Sequence, residues 1–447
     1  MKMYFAKVFF IVGRQRNTII GTFLAEYAVL MSNLLVLRLA ADSFGTVGFG
    51  EYTVARRAIG LVTFPLLCGL GISLPRFIAQ AEERKAEIWQ QRAYFFSGLV
   101  FGLILLTLFW IPILTIPDLI SRLFYGDSAF SHLVPPIALC ITGLYLHTIF
   151  YGYFRGRLQM GIANFLQVSN MGLIPLLAIG LSQYKVENAL VLMGMGWLIV
   201  SAMAGAWIAF QLGVRGLFFS DLLVSGRTLI VYGVPRIPGE FALFGLFAVP
   251  TFIVAWRYGV ERAGFFSLGT SLIQLVSSMF TPIGILLLPY TSRLVAAHRW
   301  DAIRGLVTKV LLGTLIVAGL IIVLMQLSLP KVLFLLAGPS FSVAAGQLRW
   351  LLAGTVPYMV YITLRNPLDA IAVWPHNSIN LMATLVLIAG LIGFPDDRLS
   401  AEGIMALGLS LLAVFSWLSW QQSLKHAQIS SMALRDTQTT TGGGSDD

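Results

Sequence analysis

The sequence is poor in charged residues and in cysteine. Charged residues make up 11% of the 447 positions, whereas an ordinary soluble domain carries roughly 25%. The two cysteines both lie inside apolar runs, so they support neither a disulfide framework nor a thiolate metal site, and the five histidines show no ligand spacing. A phosphate-cradling Gly-x-x-x-x-Gly-Lys loop and a nucleophile elbow are also missing. These absences argue against a soluble domain, a metalloenzyme and a nucleotide-driven pump.

Long apolar runs are what the chain has instead. Apolar residues account for 57% of the sequence, in stretches of about 18 or more residues that suffice for a helix to cross a bilayer. Since a lipid-spanning chain must pair its own backbone polar groups, runs of this length indicate transmembrane helices. Twelve spans are predicted, at 18–40, 54–75, 93–116, 133–154, 164–183, 187–212, 230–255, 264–288, 306–329, 346–368, 376–394 and 402–422.

The net charge of +10 reports orientation in the membrane rather than a nucleic-acid partner. With both termini placed in the cytoplasm, 19 Lys or Arg fall in or beside cytoplasmic segments and 7 on the opposite side. The positive-inside rule therefore predicts cytoplasmic N- and C-termini. Residues 1–17 form a basic amphipathic lead-in, and residues 425–447 a polar tail that is expected to be disordered.

An internal repeat is indicated by a fixed offset of 214 residues. It places Glu26 on Glu240, Gly45 on Gly259 and Gly50 on Gly264, and the loop LFYGDSAF (123–130) resembles LLAGPSF (335–341) at an offset of 212. Chance similarity between apolar segments is the alternative. Six spans in each half would give both repeats the same polarity. We therefore predict an all-α polytopic membrane protein, with two six-helix lobes (18–215 and 230–424) joined by a cytoplasmic linker (216–229) and facing a central cavity.

The seventh span carries ionisable residues within an apolar run, in the stretch VPRIPGEFALFG (234–245). An ionisable side chain near the bilayer centre costs about 2.5–3.5 kcal/mol on insertion scales, so it rarely faces lipid. Two prolines and a glycine predict a kink or local unwinding here, which is tolerated where backbone lines a cavity. Glu26, the repeat mate of Glu240, shares a helix face with Thr22 and Asn33. A self-neutralising Arg236–Glu240 pair is the alternative reading.

Arginines near the predicted cavity suit a phosphate or diphosphate substrate, which guanidinium groups bind in bidentate fashion. Arg38 lies near the end of the first span, Arg56 and Arg57 in the first turn of the second, and Arg236 in the seventh. Snorkelling to the external interface is the alternative for the first three. His147, within the fourth span, is a candidate for proton transfer or sugar contact, or a satisfied polar core residue.

The stretch FGTVGFGEYTVARRAIGLVTFPLLCGLGISLPRFIAQ (44–80) resembles the loop and second helix of polysaccharide transporters. These form the branch of the multidrug/oligosaccharidyl-lipid/polysaccharide exporter superfamily that includes O-antigen flippases. The resemblance rests on a Gly-x-x-x-x-Gly-x-Tyr loop (Gly45, Gly50, Tyr52) and a helix that ends in Leu-Pro-Arg, together with the span count and the LFYGDSAF loop.

Membership implies a two-lobed transporter of the bacterial inner membrane that works by alternating access and is not an enzyme. The implied substrate is an oligosaccharide on a polyprenyl diphosphate, moved to the periplasmic leaflet for surface polysaccharide such as lipopolysaccharide, with other polysaccharide assembly proteins as partners. On this chain, the resemblance assigns Arg38, Arg56, Arg57 and Arg236 to the diphosphate. Glu26 and Glu240 are assigned to gating or to coupling with H+ or Na+, with Asn33 and His147 as further polar cavity residues and no cofactor.

Two other functions compete with this one. An ion-coupled drug or cation antiporter of the same fold would use Glu26 and Glu240 for its substrate, but would not place several arginines at the binding site. A membrane enzyme of lipid-linked sugars would typically need a large basic external loop, which the sequence lacks.

Overall fold

The computed structural model describes residues 2–83, 88–213, 218–372, 374–394 and 399–441, and these residues are helical with no β-strand. Its helices are α1 (Lys2–Leu66), α2 (Leu70–Glu83), α3 (Ile88–Thr115), α4 (Pro117–Tyr125), α5 (Val134–Gly156), α6 (Met160–Val168), α7 (Ile174–Gly180), α8 (Val186–Leu212), α9 (Phe219–Gly233), α10 (Ile237–Tyr258), α11 (Val260–Ala296), α12 (Trp300–Ala337), α13 (Ala345–Ala353), α14 (Thr355–Ile371), α15 (His376–Gly393) and α16 (Ala401–Thr441). A π turn, Ser169–Leu173, joins α6 to α7.

Ten segments of the described chain are long and apolar enough to cross a membrane. Most of the twelve predicted spans fall within one of them. The second span is divided by a turn at Leu67–Gly69, where Cys68 and Gly69 have positive φ, and its first part continues α1. The tenth span is divided between α13 and α14 at Gly354. The chain is thus a multi-pass helical membrane protein, while the count of twelve stays a prediction.

The predicted repeat mates Gly45 and Gly259 share a backbone conformation that strongly favours glycine. Gly45 interrupts α1 with φ 65° and ψ −170°, and Gly259 separates α10 from α11 with φ 86° and ψ 168°. Gly126 and Gly338, in the two similar loops, also have positive φ, at 83° and 94°. Side chains with a Cβ are strained in this region, so glycine is needed at all four positions.

Another pair of predicted repeat mates, Gly50 and Gly264, lies at a close helix crossing. A Cβ on Gly50 would stand 2.0 Å from the Val260 carbonyl oxygen, and one on Gly264 would stand 2.9 Å from the Gly50 Cα. Only hydrogen atoms fit between the backbones here. The crossing therefore fixes how the second half of α1 packs against the start of α11.

The seventh predicted span has a 3-10 turn where the prolines and glycine predicted a kink or local unwinding, and a 3-10 turn is more tightly wound than an α-helix. α9 ends at Gly233, a 3-10 turn covers Val234–Arg236, and α10 begins at Ile237. Gly233 packs on the turn before α2, because a Cβ there would lie 2.4 Å from the Cys68 carbonyl oxygen. This contact brings the end of α9 beside the beginning of α2.

The chain divides into two compact units. The first comprises residues 1–241, 255–264 and 334–340, and the second comprises residues 242–254, 265–333 and 341–447. The first unit contains an apolar core in which Phe95, Tyr145 and Ile149 are fully buried. The second contains a core that includes Ile303, Leu364 and Trp420. The predicted lobe boundaries at 215 and 230 stay predictions, and α9 already begins inside the predicted linker, whose first two residues lie outside the described ones.

Helix α16 continues to Thr441, through most of the tail 425–447 that was expected to be disordered. The sequence explains the difference, since neither glycine nor proline occurs between Gly408 and Gly442. A helix has no strong breaker to end it there. Residues 442–447 lie outside the described part of the chain.

Candidate functional site

A cavity of about 310 Å³ lies within the first unit and is lined by both polar and apolar side chains. We call it the Arg56 cavity. Its lining residues are Val29, Asn33, Tyr52, Arg56, Ile59, Gly60, Leu144, Gln167, Met171, Pro175, Met193 and Trp197. They come from both halves of α1 and from α5 to α8. The structure thus brings together two of the predicted site residues, Asn33 and Arg56.

Arg56 is held by an amide and an aromatic ring. Its Nη2 donates to Asn33 Oδ1 at 3.0 Å, and its guanidinium carbon lies 5.8 Å from the Tyr52 ring centroid. Asn33 Nδ2 donates to the Val29 carbonyl at 3.0 Å, which fixes the amide with its oxygen toward the arginine. Neither contact cancels the positive charge, so the cavity is suited to an anion.

Tyr52 also lines this wall. The residue is only 1% exposed, and its hydroxyl is buried without a hydrogen-bond partner among the described residues. Arg57, the next residue after Arg56, is half-buried.

His147 belongs to a buried polar network behind the cavity wall. Its Nδ1 lies 2.7 Å from Asn170 Nδ2, its ring stacks on Tyr151 at a centroid distance of 5.6 Å, and it hydrogen-bonds the Gln167 side chain. Trp197 Nε1 donates to the Asn170 carbonyl at 2.5 Å. Since Gln167 and Trp197 also line the cavity, His147 is one residue removed from it.

Glu26 is exposed and lies on the side of α1 that carries Asn33. One turn before it, Thr22 Oγ1 accepts a hydrogen bond from Asn164 Nδ2 on α6 at 3.2 Å. The Glu26 carboxylate interacts electrostatically with Tyr151. Exposed apolar residues such as Leu24, Met31 and Leu35 mark the opposite face of the helix. Glu26 therefore faces the polar side of the first unit.

Arg38 has local partners of its own. Its Nε lies 2.7 Å from Asp42 Oδ2, and its Nη1 donates to the Phe334 carbonyl at 2.7 Å. These contacts tie the end of the first half of α1 to the end of α12. To bind a substrate, the guanidinium would first have to leave them, and its assignment to the diphosphate stays a prediction.

Arg236 lies with a residue that the sequence did not single out as a site, Arg76. The Arg236 guanidinium carbon lies 3.8 Å from the Tyr232 ring centroid, and its Nη1 donates to the Tyr232 carbonyl at 2.5 Å. Arg76 lies over the same ring at 4.3 Å and donates to its hydroxyl. We call these three residues the Tyr232 cluster. Glu240 is half-buried in the first turn of α10, one turn beyond Arg236.

The Tyr232 cluster is separate from the lining of the Arg56 cavity. α2 packs along α5, because a Cβ on Gly71 would lie 3.2 Å from Thr148 Cγ2 and one on Gly152 would lie 3.3 Å from Pro75 Cδ. Arg56 and Arg76 are separated in the chain by the turn at Leu67–Gly69, and none of Arg76, Tyr232 and Arg236 lines the cavity. The structure therefore does not join Arg236 to Arg56 in one site.

Sequence reasoning missed Gln167, Asn170, Trp197, Arg76 and Tyr232 as site residues. Arg76 could have been found, because it closes the Leu-Pro-Arg motif at the end of the second predicted span. Gln167, Asn170 and Trp197 gave no local signal, since they contact their partners across helices, whereas Tyr232 lies one turn before Arg236. Among the described residues, no group of three His, Cys, Asp or Glu side chains is arranged to hold a metal.

Comparison with protein families identifies the first two thirds of the chain. A family model described as polysaccharide biosynthesis protein matches residues 16–295. This match covers more than half of the sequence and includes both the Arg56 cavity and the Tyr232 cluster. A comparison with curated proteins gave no significant match.

Solved structures of the multidrug/oligosaccharidyl-lipid/polysaccharide (MOP) superfamily share the fold. An inward-facing multidrug resistance MATE family transporter superposes with a TM-score of 0.73 at 14% identity, over 91% of this chain and 96% of the other. An outward-facing transporter of that kind gives 0.57 at 13% identity, over 94% and 96%. A MOP superfamily transporter from Pyrococcus furiosus, described as having a binding pocket of reverse polarity that suggests a different function, gives 0.57 at 14% identity, over 92% and 95%. At such low identity the likeness shows the fold alone.

Proposed function

Since the chain belongs to the polysaccharide biosynthesis protein family and has the fold of MOP superfamily transporters, we propose that it flips a lipid-linked oligosaccharide. In this proposal the substrate is an oligosaccharide repeat unit on a polyprenyl diphosphate. It moves from the cytoplasmic to the periplasmic leaflet of the bacterial inner membrane, for surface polysaccharide such as O-antigen. Other proteins of polysaccharide assembly would supply and consume the substrate.

The observation that carries the proposal is the arginine inside the Arg56 cavity. Arg56 meets an amide oxygen at 3.0 Å and an aromatic face, and its side chain is half-buried. A charge at membrane depth is costly, so such residues are rare and often functional. A diphosphate would supply the negative partner for this guanidinium.

Transport by alternating access would use two six-helix repeats, with twelve spans in all. Two features support this arrangement: the shared conformation of Gly45 and Gly259, and the positive φ of Gly126 and Gly338 in the two similar loops. The sequence offers no nucleotide site, so the driving force would be an ion gradient, the membrane potential or consumption of the product.

Glu26 and Glu240 are proposed to couple transport to H+ or Na+, or to gate it. Glu26 interacts electrostatically with Tyr151, whereas Glu240 follows the 3-10 turn that carries Arg236. Because the surroundings differ, Glu26→Gln and Glu240→Gln should give different pH profiles of transport. Identical profiles would count against separate roles.

A multidrug or cation antiporter is the alternative function. The MATE structures favour it through their fold, but the same fold also occurs with a binding pocket described as having reverse polarity. The charge of the cavity therefore discriminates better than the fold. A cation exporter would not be expected to keep Arg56 in its binding cavity without a carboxylate to neutralise it.

Binding by the purified protein tests the proposal. We expect an undecaprenyl diphosphate-linked oligosaccharide to bind the wild type, and to bind Arg56→Gln and Arg236→Ala about ten-fold or more weakly, because each loses a charge-assisted contact. Arg122→Gln is the matched control, since Arg122 is exposed on α4 outside the cavity. Binding of a cationic dye alone, unaffected by Arg56→Gln, would establish the antiporter instead.

A further inference from the structure

The Tyr232 cluster places two guanidinium groups against one aromatic ring. We propose that Arg76 and Arg236 form a second anion site, which takes the diphosphate head group of a membrane lipid before it reaches the Arg56 cavity. The proposal rests on the proposed function and deepens it. It adds Arg76 as a binding residue and separates Arg236 from the other predicted arginines.

The geometry of the cluster matches a ligand with two phosphoryl groups. The guanidinium carbons lie 4.3 and 3.8 Å from the same ring centroid, so they are no more than about 8 Å apart. Arg76 is exposed and Arg236 is half-buried, which leaves donor atoms available to a ligand. Two planar guanidinium groups so placed can each take one phosphoryl group in bidentate fashion.

The cluster is held on rigid elements. A Cβ on Gly69 would stand 2.4 Å from the Gly233 Cα, so the backbones at the start of α2 and the end of α9 are packed directly on each other. The edge of Phe77 packs on the Tyr232 ring at a centroid distance of 5.5 Å, and Tyr94 stacks on Phe77 at 5.4 Å. Both arginines therefore meet a ring whose position is fixed by packing, as a binding site requires.

Two carboxylates close to the cluster in sequence have partners outside it. Glu82 on α2 accepts from Gln91 at 2.7 Å and lies 3.4 Å from Arg157. Asp221 on α9 accepts from the Phe218 backbone N–H at 3.4 Å. Glu240, one turn beyond Arg236, is half-buried. Arg76 and Arg236 contact Tyr232, and these contacts do not cancel a positive charge.

The surroundings favour a lipid over a soluble phosphate. Ile72, Val231 and Val234 flank the cluster in sequence and are 39%, 65% and 42% exposed. Apolar side chains left exposed beside a positive site suit a ligand with a charged head and a hydrocarbon chain. This end of the first unit also joins segments 76–92 and 216–229, which the charge bias places on the cytoplasmic side, where the substrate would be loaded.

The two sites have separate linings, which gives them separate roles. None of Arg76, Tyr232 and Arg236 lines the Arg56 cavity. The Tyr232 cluster would hold the head group first, and the Arg56 cavity would hold it afterwards. Loading and release then use different arginines.

The test is binding of undecaprenyl diphosphate, without sugar, to the full-length protein in nanodiscs. The variants are Arg76→Gln, Arg76→Lys and Arg56→Gln, with inorganic diphosphate as the soluble probe. Arg157→Gln is a matched control, because Arg157 also lies over a tyrosine, at 5.8 Å, and donates to its hydroxyl, but is neutralised by Glu82. Thermal unfolding of each variant separates loss of binding from loss of fold.

Binding is measured in the Arg56→Gln background, so that the Arg56 cavity does not contribute. We expect Arg76→Gln to weaken this lipid binding about ten-fold or more, Arg76→Lys to recover part of it, and Arg157→Gln to stay within about two-fold of the Arg56→Gln variant. If Arg76→Gln lowers only the unfolding temperature and not lipid binding, the cluster has a structural role and the proposed second site is wrong. In that case, weaker binding by Arg56→Gln would still support the proposed function. Equal affinity for inorganic diphosphate would overturn the lipid assignment. No lipid binding by the wild type would overturn both proposals.

Discussion

The contact between Asn33 and Arg56 makes a prediction about charge at the scale of one residue. Asn33→Asp would place a carboxylate where the amide oxygen now accepts from Arg56 at 3.0 Å. The new ion pair should keep the protein folded, yet it would neutralise the cavity. We expect the unfolding temperature to stay near that of the wild type, while binding of the diphosphate-linked oligosaccharide falls about ten-fold or more.

The control for Asn33→Asp is Gln183→Glu, the same amide-to-carboxylate change at an exposed turn residue. Binding and unfolding of both variants are measured on the purified protein. If Asn33→Asp binds the lipid as tightly as the wild type, Arg56 does not contact the diphosphate.

Asn170 gives a second prediction at the residue scale, concerning stability. The residue is fully buried and pairs with His147 at 2.7 Å. Asn170→Leu would leave the buried imidazole without this partner, at a cost of about 1–3 kcal/mol. His147→Phe should cost a similar amount, whereas the double variant should cost less than the sum of the two single variants, because neither member of the pair is then left without the other.

Thermal unfolding in detergent of the two single variants and the double variant completes this cycle. A double variant whose loss equals the sum of the single losses would show that the two side chains are not energetically coupled. In that case the His147 network would not be a unit that supports the cavity wall.

At the scale of elements, the close crossing at Gly50 predicts intolerance to a single methyl group. Gly50→Ala would place a Cβ 2.0 Å from the Val260 carbonyl oxygen, so the second half of α1 and the start of α11 must move apart. The control is Gly313→Ala, inside α12, where a Cβ would meet nothing within 4 Å. The first change should lower the unfolding temperature by several degrees or abolish folding, and the second should be neutral or stabilising.

Unfolding temperatures of the two variants check this directly. Equal behaviour of Gly50→Ala and Gly313→Ala would show that the crossing is looser than the structure has it. The same comparison tests the repeat locally, since Gly264, the predicted mate of Gly50, lies at the other side of the crossing.

Elements were more predictable from the sequence than the site. Apolar length indicates most spans, and Pro235, Pro238 and Gly239 indicate where the seventh departs from an α-helix, although the departure is a 3-10 turn and not an unwound segment. The continuation of α16 to Thr441 was missed, because polar composition was taken as disorder although no helix breaker is present. The site depends on tertiary contacts: Arg56 and Asn33 meet from two spans, and Arg76 meets Tyr232 across 156 residues. Such pairs leave no local pattern.

At the scale of the molecule, two hydrogen bonds relate the halves of the sequence. Arg38 donates to the Phe334 carbonyl just before Gly338, and Trp256 Nε1 donates to the Leu123 carbonyl just before Gly126, at 2.9 Å. Asp42, the ion partner of Arg38, is offset by 214 residues from Trp256. In each case a residue near the end of one half's first predicted span donates to a carbonyl a few residues before the glycine in the other half's loop. The correspondence supports the predicted repeat.

The orientation of the whole molecule is tested best at one span. Helices α6 and α7 with their π turn run from Met160 to Gly180, and exposed turn residues flank them: Leu158, 71% exposed, and Tyr184, 79% exposed. At about 1.5 Å per residue the segment is about 30 Å long, enough to cross the hydrocarbon core. The charge bias of 19 to 7 places Leu158 in the cytoplasm and Tyr184 outside. After Cys68 and Cys140 are replaced by serine or alanine, Leu158→Cys and Tyr184→Cys are labelled in intact cells with a membrane-impermeant maleimide. We expect Tyr184→Cys to react at once and Leu158→Cys only after the cells are opened. The reverse order would show that the orientation in the membrane is opposite to the predicted one. The Tyr232 cluster would then lie on the release side and not on the loading side.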